Sequence, residues 1–390
     1  SLLTVLIGSS WAALPAFCQP EASNRNWEAL HTVARGVTDS GDHVGNVFLL
    51  GESVSINVGH DGIRGWQITN EMGREMGQGD GAGADRIELG KLPVGWYRIG
   101  LLDSNNKELE WTTAAVLAPL AAPTPQDSPI CVDSATAWFA RDNPIDQERL
   151  TRLAALAGVN WVRDRMAWRD VQPTEDEFVA DTTYDSAAAI QNRYGLKVLQ
   201  VYHDTPSWAT SEDARGRFPV DLRHAYRFAK AMSERFKGQV QAWEPWNEAN
   251  VATFGGHTID EICSYQKAAY LGFKAGDGSV TVCCNVTTAT PTERQTDGVL
   301  LNETWSYFDT YNFHTYDWAH DYERLWIPTR RAACGKPLWI TESDRGMKSE
   351  PSSPHHDLSA VNRRLKAQYV TQSYVKSLHA GANRHFHFIL

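Results

Sequence analysis

Two stretches of this chain run apolar and then break abruptly into polar residues. One is 240–250, which turns polar at Trp246, Asn247 and Glu248; the other is 337–344, which ends on Glu342. A buried strand reads this way when its last residues emerge into a cleft. From residue 130 onward such runs alternate with amphipathic stretches. Strands are expected at 130–133, 159–163, 196–202, 240–248, 279–284, 308–316, 337–344 and 384–390. Helices are expected at 143–156, 184–194, 221–237, from a Thr258–Glu261 capping box onward, near 297–307, and at 322–333 and 357–380. Gly195, Gly238 and Gly335 stop three of them. Eight strands alternating with seven helices is the count of a (β/α)8 TIM barrel. A doubly wound open sheet would carry a Gly-rich phosphate loop after an early strand, and none is present. The last run is strand eight with no helix after it, so the barrel reads as truncated, its outer flank at strands eight and one uncovered.

Before residue 118 the pattern is different. Short alternating runs at 46–51, 52–58, 65–69, 85–89, 95–102 and 109–116, with no amphipathic helix among them, make a small all-β sandwich. The Gly-rich stretch 77–83 reads as a turn within it. A proline-rich run over 118–129 marks the boundary. The domains are therefore a sandwich at 26–120, a linker at 121–129 and a barrel at 130–390. Residues 1–18 are an apolar run followed by small residues, read as part of a signal peptide, which implies a secreted or periplasmic protein.

Composition narrows the partners. Among 390 residues, 22% are charged and 42% apolar, with no low-complexity tract, so the chain folds. A net charge of −10 without a basic cluster argues against nucleic acid or an anionic membrane surface. The 15 tryptophans supply flat apolar faces of the kind that stack on sugars, which points to a carbohydrate partner. Cys18, Cys131, Cys263, Cys283, Cys284 and Cys334 show no CxxC or zinc spacing, and nothing calls for a metal or another cofactor. Asn285 and Asn302 open glycosylation sequons.

In a barrel the active site gathers where strands end. The expected strand ends supply Arg163 and Arg165, His203 followed by Trp208, Asn247 and Glu248, His314 and Tyr316, and Glu342. Two carboxylates across a barrel mouth are what glycoside hydrolysis needs. Glu342 would attack the anomeric carbon, held ionised by an arginine and the Tyr316 hydroxyl. Either Arg163 or Arg165 can be that arginine. Glu248 would protonate the leaving oxygen, its pKa raised by the negative Glu342. Asn247 is placed for the sugar 2-hydroxyl, His203, His314 and Trp208 for substrate contact, and Glu244 for a network inside the barrel.

Trp246-Asn247-Glu248 and Ile340-Thr341-Glu342 resemble the motifs of clan A retaining glycoside hydrolases, the 4/7 superfamily. Val162-Arg163, Thr205-Pro206-x-Trp208, Trp243-Glu244-x-Trp246-Asn247-Glu248 and Asn312-x-His314-x-Tyr316 most resemble glycoside hydrolase family 39 and its relatives. That family includes β-xylosidases, α-L-iduronidases and bacterial exopolysaccharide endoglycosidases. The resemblance covers the barrel, implies a retaining glycosidase acting on an oligo- or polysaccharide, and favours Arg163 as the nucleophile's partner. Where the clan usually presents a tryptophan from strand eight, this sequence has His385 and His387. Two rival readings use the same scaffold: a non-catalytic carbohydrate-binding barrel, and a metal-dependent hydrolase built on His203, His314, His385 and His387.

Overall fold

The computed structural model describes residues 43–388, apart from 60, 211–215, 289–290 and 348–357. The expected signal segment and the start of the expected sandwich lie outside the described residues. Seven strands come first: β1 (Val47–Leu49), β2 (Val54–Asn57), β3 (Gly65–Asn70), β4 (Glu75–Asp80), β5 (Arg86–Gly90), β6 (Gly95–Leu102) and β7 (Glu108–Leu117). Five form a sheet in the order β1-β7-β6-β3-β4, and β2 pairs with β5 in a second sheet. The inward residues of both sheets, Ile56 and Ile87 from the smaller and Ile68, Ile99, Leu101 and Val116 from the larger, close one core. This is the expected sandwich, with one difference. The stretch expected to turn at 77–83 largely belongs to β4, because Trp66 of β3 lies across it: a Cβ at Gly79 would sit 2.5 Å from the indole. Here glycine serves a close approach rather than a bend.

Residues 118–129 are fastened along one end of the barrel. Thr124 donates to the Gly158 carbonyl at 2.7 Å, Asn160 to that of Pro125, and Arg384 to that of Ser128 at 2.8 Å. Arg363, on the helix Ala360–His379, places its guanidinium 5.1 Å from the centre of the Trp96 ring in the sandwich.

Eight parallel strands follow: β8 (Ile130–Asp133), β9 (Trp161–Ala167), β10 (Lys197–His203), β11 (Ala242–Pro245), β12 (Thr281–Val282), β13 (Tyr311–Thr315), β14 (Leu338–Ser343) and β15 (Ala382–Phe388). Their order is β12-β11-β10-β9-β8-β15-β14-β13. Among the described residues one bridge, between Cys283 and Thr310, joins the two ends, with the Cys284 amide donating to the Thr310 carbonyl at 2.8 Å and the Asp309 amide to the Val282 carbonyl at 2.7 Å. Gln266, on the helix Ile259–Gly276, reaches into this seam. Its amide donates to the carbonyls of Cys283 (3.0 Å) and Tyr307 (2.8 Å) and accepts from the Asn285 backbone (2.6 Å). Inward residues alternate with outward ones along each strand. Cys131, Trp161, Leu199, Ala242, Cys283, Trp339 and Phe386 fill the barrel's lower interior.

The flank at strands eight and one is not bare. His385 of β15 is fully buried between the hydroxyls of Ser377 (2.8 Å) and Ser343 (2.9 Å). Val132 of β8 packs with Ala137, Ala154 and Val162. The helices Ala360–His379 and Pro144–Leu156 supply that cover. The helix expected over 322–333 is two short ones, broken at Trp326, since Pro328 lacks the N–H needed to continue the first. Asn285 is buried, which removes its sequon from consideration. The five described cysteines are all free thiols. Among the described residues no helix is long and apolar enough to cross a membrane.

The helices Leu222–Arg235 and Ile259–Gly276 meet backbone to backbone. A Cβ at Gly272 would stand 2.2 Å from the Tyr226 carbonyl oxygen. Gly272→Ala should therefore cost about 1–3 kcal/mol through overpacking, read as a lowered urea midpoint. An unchanged midpoint would show that the pair can separate freely.

Burial depresses the His385 pKa from 6.5 to about 3, with His387 adding to the effect. A histidine held neutral in the fold contributes stability above its unfolded pKa and loses it as pH falls, because the unfolded chain takes the proton first. His385 alone should remove about 2 kcal/mol between pH 7 and pH 5. Chemical denaturation at both values should show a smaller drop for His385→Asn than for the unaltered protein; equal drops would contradict the assignment.

Candidate active site

The polar residues at the strand ends converge at the end of the barrel opposite the linker. Two backbone irregularities aim them. Trp246 and Glu248 both have positive φ, 82° and 41°, so the chain leaves β11 through a strained turn. The turn sends the Trp246 ring outward into the core, where its Nε1 donates to the Phe254 carbonyl at 2.9 Å, and it frees Asn247 and Glu248 for the mouth. On β14, Ile340 faces outward, so strict alternation would point Glu342 outward too. A register shift prevents this: Phe313 pairs with Ile340 but His314 pairs with Glu342, leaving Thr341 as the extra residue of a bulge.

Arg163 is the hub. Fully buried, it donates to Glu244 Oε1 from Nε (3.0 Å) and Nη2 (2.6 Å) and to Asn247 Oδ1 from Nη2 (2.7 Å). From Nη1 it donates to Asp133 Oδ2 (2.6 Å) and Glu342 Oε2 (3.1 Å). Arg165 sends Nη2 to the same two oxygens, at 2.7 Å and 3.2 Å. The two arginines therefore share the nucleophile candidate, where the resemblance favours Arg163 alone. Asn312 donates to the other Glu244 oxygen at 2.7 Å, which places Glu244 in the expected interior network. Tyr316 donates to Glu342 Oε1. His314 Nδ1 lies 2.7 Å from Glu248 Oε1 and 3.6 Å from Glu342 Oε2.

Burial works to raise the Glu342 carboxyl, and Glu248 adds to that push. His314, Arg165 and Arg163 outweigh both and hold it below the ordinary carboxylate range. The same holds for Glu248, contrary to the expectation of a raised pKa. Burial pushes it up, but the hydrogen bond and charge of His314, with help from Thr288 and Arg163, bring it down. The neighbour that decides Glu248 is therefore His314 rather than Glu342.

The remaining expected residues are spread more widely. His203 ends β10 with its ring against Trp138 (5.5 Å) and Phe254 (5.3 Å) and its Nδ1 2.9 Å from Asp204. Trp208 is turned into the packing between elements, its Nε1 donating to the Gln172 carbonyl at 3.1 Å and its ring edge-on to Trp168. His385 lies between its two serines and His387 faces Asp344 at 3.9 Å, so the four histidines of the metal reading do not meet at one point. Among the described residues, the donor atoms that do come together are those of Glu248, His314 and Glu342, within 4.8 Å of one another. Both guanidinium groups already press on the Glu342 oxygen of that set, which disfavours a divalent cation there.

Asp133, Phe388 and Thr288, the last of which bonds to Glu248, went unnamed in the sequence. Asp133 is buried beneath both arginines, yet Ile130-Cys131-Val132-Asp133 carries the same apolar-to-polar break that marked the glutamates. Phe388 closes β15 with its ring 5.2 Å from the Arg165 guanidinium, two residues beyond the inward Phe386 and so on the same face.

No family model matches the sequence, and no curated protein matches it. Solved structures do. A family 39 glycoside hydrolase from the gut symbiont Bacteroides cellulosilyticus WH2 is 17% identical with a TM-score of 0.65, over 88% of this chain and 74% of that one. A monomeric β-xylosidase from Caulobacter crescentus CB15 is 16% identical with a TM-score of 0.54, over 69% of this chain and 61% of its own. A family 5 glycoside hydrolase variant from Streptomyces cattleya, solved with Manβ1-4GlcNAc, is 13% identical with a TM-score of 0.52, over 67% and 71%. The first likeness spans more than the barrel alone could fill, so it takes in the sandwich as well. The fold matches that of the TIM-barrel glycosidases of clan A.

Proposed function

We propose that this chain is a retaining glycoside hydrolase that cleaves the O-glycosidic bonds of an oligo- or polysaccharide by double displacement. One observation carries the reading. The nearest carboxylate oxygens of Glu248 and Glu342 lie within 4.8 Å, around His314. Retaining enzymes hold their carboxyl groups about 5–5.5 Å apart, whereas inverting ones need roughly 6.5–9.5 Å to admit a water, and a single imidazole nitrogen reaching both carboxylates, at 2.7 Å and 3.6 Å, supports the closer spacing. Glu342, kept anionic by Arg163, Arg165 and Tyr316, is the nucleophile that bonds to the anomeric carbon. Glu248 is the acid that protonates the leaving oxygen and then the base that takes a proton from the incoming water. Asn247 has its Oδ1 fixed by Arg163, which leaves its amide nitrogen to donate to the sugar 2-hydroxyl as positive charge develops on the ring. Phe388 offers an apolar face at the same mouth. Export from the cytoplasm belongs to the proposal on the strength of the apolar N-terminal run.

The test is hydrolysis of a panel of aryl glycosides and polysaccharides, with the first-formed anomer followed by proton NMR. The retained anomer is the expected product. Appearance of the inverted anomer first would overturn double displacement, and binding without turnover across the panel would favour the non-catalytic reading.

A further inference from the structure

Glu248 must deliver a proton, yet its surroundings favour the carboxylate. The resolution lies one atom away. We propose that His314 stores the proton that Glu248 delivers: in the free protein one proton is shared between His314 Nδ1 and Glu248 Oε1, and it passes to Glu248 as the sugar bonds to Glu342. This rests on the glycosidase reading and deepens it.

The geometry supports the assignment in three ways. First, His314 Nδ1 is within hydrogen-bond distance of Glu248 and only 3.6 Å from Glu342, so one ring nitrogen faces both carboxylates. A proton there is attracted chiefly by Glu248, and by Glu342 to the extent that Arg163 and Arg165 leave its charge uncompensated. Second, the ring is fully buried, so water does not compete for Nδ1, and Nε2 keeps its own proton throughout, so the ring passes from imidazolium to neutral imidazole when Nδ1 gives its proton up. Third, the groups packed around it set the charge from every side. Glu248 comes from the turn after β11, Glu342 from β14, Arg163 and Arg165 from β9 through Glu342, Tyr316 from the end of β13, and Thr288 from beyond β12 through Glu248.

The consequence is a coupling of charge to proton position. As Glu342 forms its bond to the anomeric carbon its negative charge disappears, and the proton on Nδ1 loses one of the two anions that held it. The proton then moves to Glu248 and on to the leaving oxygen, while the glycosidic C–O bond breaks. His314 is left neutral, Glu248 ionised and the sugar esterified to Glu342. In the second step water adds its oxygen to the anomeric carbon, its proton goes to Glu248, and the released Glu342 carboxylate restores the shared proton. His314 acts through Glu248 and is therefore a positioning residue rather than a catalytic one.

Two measurements test this. Ring-15N-labelled free protein followed across pH should show the His314 Nδ1 proton leaving in a single step shared with the Glu248 carboxyl, and Glu248→Gln should shift that transition. A His314 that titrates identically in both proteins would overturn the shared proton, whether or not the protein cleaves any glycoside. His314→Gln keeps a hydrogen-bond donor but cannot store a proton. On a substrate with a poor leaving group it should lose about 10- to 100-fold in kcat/KM, with the alkaline limb of the profile moved to lower pH. A dinitrophenyl glycoside, which needs no proton, should keep most of its rate. Equal losses on both substrates with an unmoved alkaline limb would mean that His314 only shapes the site. If the unaltered protein hydrolyses nothing, the parent reading fails, and the NMR result still decides the proton's location.

Discussion

Glu342→Ala is expected to abolish turnover on every glycoside, while Glu248→Ala fails selectively. The difference follows from what each carboxylate gives up. Without Glu342 there is nothing to bond to the anomeric carbon, and the loss should be on the order of 10⁴-fold or more whatever the leaving group. Without Glu248 only proton transfer is lost, about 10²- to 10⁴-fold. A dinitrophenyl glycoside should therefore still form the glycosyl ester, and azide should speed its slow breakdown to give a glycosyl azide of retained configuration. Azide added to Glu342→Ala should instead yield the inverted product, because it attacks from the face the nucleophile has vacated. Identical behaviour of the two variants across leaving groups and with azide would dissolve the assignment of distinct roles.

Arg163→Met should be the most destabilising single change at the site. The arginine is fully buried against Asp133, Glu244 and Glu342, which its removal would leave short of positive charge. Breaking a buried pair from one side costs about 3–5 kcal/mol, and here one guanidinium serves three carboxylates. The pH dependence carries the sign. In the unaltered protein Glu342 sits below its ordinary pKa, so its contribution is present above about 4.5 and is lost as pH falls through the folded value. In the variant the same carboxylates are buried with less compensation and favour protonation, so the deficit should be widest near pH 7–8 and should narrow toward pH 5. Urea midpoints at three pH values would show it. A constant deficit would mean that Arg163 contributes by packing rather than by charge.

How far the chain could be read in advance depended on how local each signal was. The strands and most helix limits follow from apolar periodicity and from caps such as the Thr258–Glu261 box, which forms as its spacing implies. The glutamates were legible because each closes an apolar run. Asp133 met the same criterion on strand one but had no motif to draw attention to it. The strand at Glu75–Asp80 could not be read, because its glycines answer to a tryptophan on the neighbouring strand. The contact between His314 and Glu248 joins residues 66 apart and depends on a strained turn and a neighbouring bulge, neither of which leaves a mark in the local sequence. The pKa direction of Glu248 followed that contact and was misread with it. Trp208 had a motif but no periodicity to say which way it turns, and it turns into the packing.

The seam between β12 and β13 gives the barrel an uneven resistance to opening. A two-residue strand, one bridge and the bond from the Asp309 amide to the Val282 carbonyl hold it, while Gln266 supplies from outside further polar contacts that strand pairing would otherwise provide. Fluctuations that part a closed sheet begin where the fewest bonds must break together. Amide hydrogens at Cys284 and Asp309 should therefore exchange with solvent well before those at the centre of β9 or β10. The closed ring would then behave as an open curved sheet for a small fraction of the time, its hinge on the far side at β8 and β9, beneath Asp133 and Arg163.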